Sequence, residues 1–147
     1  MATGDFTVFE EFAANIGDGE HDLSADTLKL GLIDNSAAPT AADASPAWGD
    51  YSANEVSTAG GYTANGETLT TVTYTEADGV ATLDADDVDL VQNGSGFTDA
   101  YYGILYNDTN ASDAAIGFVD LGGPVSEQDG PISIAWNASG ILTVTVS

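Results

Sequence analysis

Residues 99–121, DAYYGILYNDTNASDAAIGFVDL, read as two apolar strands joined by a polar turn, and no other stretch limits the possible folds as strongly. Along residues 100–106 one face carries Tyr102, Ile104 and Tyr106, and the other carries Tyr101, Gly103 and Leu105. Both faces are largely apolar, which suits a strand inside a sheet stack rather than a one-sided edge strand. The return segment, residues 115–121, puts Ile116 and Phe118 on one side and Val119 and Leu121 on the other. Between them, Asn107, Asp108, Thr109, Asn110, Ser112 and Asp113 offer short polar side chains that hydrogen-bond their own backbone. The expectation is a hairpin around which the rest of the chain packs.

The 147 residues make one domain by size, long enough to bury a core without staples. Within it, residues 1–17 read as an N-terminal arm and residues 26–147 as a β-domain. Cysteine is absent, so neither disulfides nor thiolate metal sites contribute. No stretch approaches the roughly 20 apolar residues that cross a bilayer. The first residues lack the basic start and apolar run of a signal peptide, so the expectation is a soluble protein made in the cytoplasm.

Charge excludes one class of partner. The chain carries 24 Asp and Glu against a single cation, Lys29, for a formal net charge of −23. Phosphate backbones are bound through clustered basic side chains, so nucleic acid is set aside. Such charge often marks disorder, but 43% hydrophobic residues in recurrent strand patterns point to a folded protein with an acidic surface. That surface suits salt-rich surroundings, where screening weakens self-repulsion.

In chain order, residues 5–16 place Phe9, Phe12, Ala13 and Ile16 at helical spacing, with Glu10 and Glu11 in an early turn, and predict a short helix ending at Gly17. Its aromatic face either packs on the chain's own sheet or docks on a partner. Leu28, Leu30 and Leu32 share one face of a strand, and Lys29 projects from the other toward nearby carboxylates. His21, the only histidine, reads as a turn or capping residue rather than a ligand. Residues 34–50 form a long loop without periodicity, ending at Trp48, which either anchors the loop or serves an interface. A Thr-rich strand is expected over 67–75 and another over 80–83. The acidic run 84–89 is the best place to look for calcium, but it lacks the D-x-[DN]-x-[DN]-G loop, and alternating Asp86, Val88 and Leu90 fit a strand with a solvated start. Near the end, Ile132, Ile134 and Trp136 on one strand and Leu142, Val144 and Val146 on another predict a second hairpin with Trp136 in the core.

About eight short strands and one short N-terminal helix therefore predict a mainly β fold, an antiparallel β-sandwich or a partly closed barrel. Phosphate-binding, nucleophile-elbow and zinc-protease motifs are all missing from the sequence, and the chain reads as a non-enzyme with no catalytic residues, no metal and no cofactor.

The order of several segments adds a family likeness. Asp26-Thr27-Leu28-Lys29-Leu30, Ala53-Asn54-Glu55-Val56, Gly61-Tyr62-Thr63-Ala64-Asn65-Gly66-Glu67-Thr68-Leu69, Leu83-Asp84-Ala85-Asp86-Asp87-Val88, Tyr106-Asn107-Asp108-Thr109, Ile116-Gly117-Phe118-Val119-Asp120 and Ile134-Ala135-Trp136-Asn137-Ala138-Ser139-Gly140-Ile141-Leu142 resemble a family of small virion structural proteins of tailed bacteriophages. Members look like head decoration or cement proteins. The chain departs from the pattern at Thr98-Asp99-Ala100-Tyr101, where a basic residue is expected before the tyrosine. The resemblance implies a capsid decoration protein that binds the major capsid protein lattice, as a homotrimer, on the outer surface of the virion, with no direct nucleic acid or membrane contact. It implies Phe6, Val8, Phe9, Phe12 and Trp48 as capsid or trimer contacts, and an arm before Gly17 that can be deleted without unfolding the β-domain. Two other readings remain open: a tail or fibre module whose Trp48 and loop tyrosines stack on host-surface carbohydrate, and a calcium-dependent adhesion domain.

Overall fold

A computed structural model describes residues 5–147; the first four residues of the expected arm lie outside the described residues. Among the described residues the fold is mainly β, with antiparallel sheets and no closed barrel. Chain order runs β1 (Phe6–Val8), α1 (Phe12–Gly17), β2 (Leu28–Ile33), α2 (Trp48–Tyr51), β3 (Glu67–Thr68), β4 (Thr73–Ala77), β5 (Val80–Asp84), β6 (Val88–Leu90), β7 (Ala100–Asn107), β8 (Ala115–Val125), β9 (Ile132–Ile134) and β10 (Leu142–Thr145). Five strands form the main sheet in the order β1-β8-β7-β2-β3; β10-β5-β4 form a second sheet and β6-β9 a third.

The hairpin expected over 99–121 is β7 and β8, and it is central. β7 lies between β8 and β2, so both of its edges are paired. Leu105 points into the larger core with Leu28, Leu30, Leu32 and Val119, whereas Ile104 and Tyr106 point into a smaller core with Ile33 and Phe118. Alternation with apolar residues on both faces is what a doubly buried strand requires.

Three expectations are corrected. The helix expected over 5–16 begins only at Phe12, because Phe6–Val8 forms a strand against β8 and the Phe9 N–H is taken by the Ile116 carbonyl at 3.1 Å. The β-branched Thr7 and Val8 gain more from completing the sheet edge than from a helical turn. The Thr-rich strand is split between two sheets, since Thr71 adopts φ +52° and its hydroxyl and that of Thr70 donate to the Asp86 carboxylate at 2.6 and 3.2 Å. The C-terminal hairpin does not form: β9 pairs with β6 and β10 with β5.

The long loop has a definite task. Its end folds into the one-turn helix α2, capped by the Asp50 carboxylate, which accepts the Ala47 N–H at 3.0 Å. The Trp48 N–H donates to Asp113 O at 3.0 Å, and the Ala115 N–H to Pro46 O at 2.8 Å, tying the loop to the hairpin. The loop thereby closes the second face of the main sheet.

Candidate functional site

Trp48 is only 4% exposed. Its ring stacks on Tyr106 at 5.2 Å and 3° and lies directly over Gly31, which has no side chain to displace it. The loop-anchor alternative is thus the one the packing supports, and no aromatic platform for a sugar is presented there. Phe9 (1% exposed) stacks against Tyr51 and packs on Phe118; Phe12 (6% exposed) belongs to the larger core. Of the five expected contact residues, only Phe6 and Val8 keep partly accessible side chains. Phe9, Phe12 and Trp48 are corrected to interior residues, because burying their rings in the chain's own cores releases more apolar area from water than a peripheral contact would.

Three buried polar residues, His21, Asn107 and Glu127, brace the loops around these cores. His21, 6% exposed, stacks on Phe12 at 5.7 Å and meets the Asn107 side chain. The Asn107 amide donates to Asp26 Oδ2 at 2.7 Å and lies 3.2 Å from His21 Nδ1. With Nδ1 accepting, the ring proton rests on Nε2, which has no partner among the described residues. Burial lowers the His21 pKa, against the opposing pull of Asp26 and Glu20. Glu127 is fully buried. Its Oε1 accepts the Gly61 N–H at 2.9 Å, while Oε2 lies against the Gly60 and Gly96 backbones with no hydrogen-bond partner among the described residues. Any Cβ at Gly96 would overlap that carboxylate, so three loops converge here only because glycine stands at the contact.

The acidic run 84–89 is occupied structurally. Asp86 holds Thr70 and Thr71, Asp87 accepts the Trp136 N–H at 2.9 Å, and Val88 and Leu90 point inward from β6. Among the described residues no three His, Asp or Glu side chains converge as metal ligands. Lys29 pairs with Asp108 at 3.0 Å, as its position opposite the leucine face predicts.

An open groove of about 750 Å³ lies beside β10. Asp5 and Phe6 form one side, and the segment from Ala135 to Thr143 forms the other. Phe6 and Trp136 meet edge to face at 6.1 Å. Trp136 is half-buried rather than core, and its indole N–H donates to Asp86 O at 3.0 Å, which fixes the ring. Asn137, Ser139 and Thr143 add amide and hydroxyl groups. The hairpin pattern of residues 132–146 conceals this groove, because Trp136 lies beyond the end of β9 and residues 137–140 close as a turn with the Gly140 N–H on Asn137 O at 2.8 Å.

Comparison with known protein families, with curated proteins and with solved structures finds no match to this chain. Among the described residues no helix is long and apolar enough to cross a membrane.

Proposed function

We propose that this chain is a bacteriophage capsid decoration protein that binds the outer surface of the major capsid protein lattice, as a homotrimer, and stabilises the head. The observation that carries the reading is charge. Against 24 Asp and Glu the chain has one cation, and that cation is already paired with Asp108. A surface of this sign is repelled by a packaged genome and is suited to the exterior of a shell. The likeness of its segments, from Asp26 onward, to small virion proteins supplies the class, and the partly accessible Phe6 and Val8 supply apolar contact. Binding only the assembled lattice stabilises that lattice by mass action.

Cryo-electron microscopy of intact virions that carry the chain tests this. Regular density at local three-fold positions on the capsid exterior is expected. Density confined to the tail would overturn the reading and favour the fibre alternative, for which the Phe6–Trp136 groove, and not Trp48, is the place a sugar ring could lie.

A further inference from the structure

We infer that the groove beside β10 takes an extended, basic segment of a different protein as an added β-strand. Both walls of the groove end in open sheet edges. Among the described residues, β10 is the outer strand of its sheet and pairs only with β5, and β1 is the outer strand of the main sheet and pairs only with β8. Antiparallel ladders turn alternate residues toward the partner strand. The Val146 N–H donates to Gly79 O at 2.9 Å, so Val144 and Leu142 also face β5, and the backbone groups of Thr143 and Thr145 face outward. By the same alternation the Phe9 N–H on Ile116 O turns Thr7 toward β8 and leaves the Phe6 and Val8 backbone groups on the open side.

Open edges of this kind are ordinarily blunted by lysine, by proline or by a covering loop. β10 reads Leu-Thr-Val-Thr, with neither lysine nor proline, and Thr143 and Thr145 are exposed. Among the outer strands, β10 borders a groove with an aromatic wall, Phe6 against Trp136, that can seat alternate side chains of an added strand. Main-chain hydrogen bonds with side-chain pockets beside them are the two components of strand addition.

Charge selects the occupant. Asp5 lines the groove, and Asp86 and Asp87 hold Trp136 from behind. A second copy of this chain would bring no free cation to Asp5, since its one lysine is engaged with Asp108. The segment that fits is therefore basic and foreign. The inference does not depend on the capsid reading; under that reading the segment belongs to the shell protein, and absence of the chain from heads would retire the reading without touching the groove.

The test is a titration of the isotope-labelled chain with an extended peptide of alternating lysine and valine, followed by amide NMR and calorimetry. The same peptide N-methylated at alternate residues keeps its charge and loses its ladder donors. Amide shifts centred on Thr143, Thr145, Phe6 and Val8, with about a tenfold or greater loss of affinity on N-methylation, are expected. Thr143→Pro, which removes only an outward N–H at an edge strand, should abolish those shifts; if that variant does not fold, the N-methylated peptide still decides. Shifts scattered over the acidic surface and equal for both peptides would overturn the inference. So would the same amides shifting with protein concentration alone, which would assign the edge to a second copy, or shifting with an oligosaccharide and not with the peptide.

Discussion

Replacing Trp48 by alanine distinguishes an interior residue from a binding residue, and the structure sets the expected size. The ring is 4% exposed, stacked at 5.2 Å on Tyr106, and backed by Gly31. Truncating a buried ring of this size costs about 3–5 kcal/mol, part of it the roughly 0.5–1.5 kcal/mol of aromatic pairing. For a chain of this length the melting temperature should fall by roughly 6–20 °C, at about 2–4 °C per kcal/mol. Gly31→Ala perturbs the same contact from the other side, because a Cβ there overlaps the indole ring, with Cζ2 only 2.9 Å away. That overpacking alone costs about 1–3 kcal/mol. In the double variant the new methyl enters space the ring has left, so the two losses should fail to add by about 1–3 kcal/mol. Thermal and urea unfolding, followed by circular dichroism for all four members of the cycle, measure this directly. The reasoning is refuted if Trp48→Ala leaves stability within about 0.5 kcal/mol of the parent, the range of ordinary surface changes, while binding to a partner is lost. Additivity of the two changes would equally remove the claimed contact.

Three other perturbations follow from the same packing. Deleting the residues before Gly17 removes β1 together with Phe9 and Phe12, each worth about 3–5 kcal/mol when truncated, against a total stability of about 5–15 kcal/mol; circular dichroism and sedimentation should show an unfolded or aggregated chain, not an intact β-domain. His21 has its pKa lowered by burial, so the folded state resists protonation: stability should be full above about pH 6.5 and fall as pH drops below it, and His21→Gln should flatten that part of a urea-midpoint profile. Tyr62 is buried, donates to Glu55 Oε1 at 2.9 Å and accepts the Leu32 N–H at 2.8 Å; burial raises its pKa above the ordinary 10.0, so the unfolded chain ionises first. Stability should then decline above about pH 10 by up to about 1.4 kcal/mol per pH unit, and the part of the tyrosinate absorbance that Tyr62→Phe removes should appear only as the chain unfolds.

Segments with strong local patterns behaved as their patterns imply. The β7–β8 hairpin, the shared face of Leu28, Leu30 and Leu32, the outward Lys29 and the inward Val88 and Leu90 are all present, because a period of two specifies which side chains share a face whatever the partner strand is. Local pattern misleads where the outcome depends on which distant strand offers a free edge. Residues 5–16 satisfy helical spacing, yet Phe6–Val8 is a strand because β8 lies open beside it. Ile132–Ile134 and Leu142–Thr145 look like the arms of one hairpin, yet each found a longer-range partner. Aromatic residues show the same division. Nothing local distinguishes Trp48, whose ring closes a core, from Trp136, whose ring walls a groove; the difference is that Gly31 and Tyr106 lie beneath one and Phe6 beside the other.

The sequence by itself determined the mainly β class, the central hairpin and the net charge of −23, since alternation, turn chemistry and net charge are local or additive properties. Tertiary structure alone decided strand partners, the closure of the second sheet face by Trp48, and the open edges of β1 and β10 beside one groove. Those depend on contacts between residues far apart in the chain, where packing outweighs local preference.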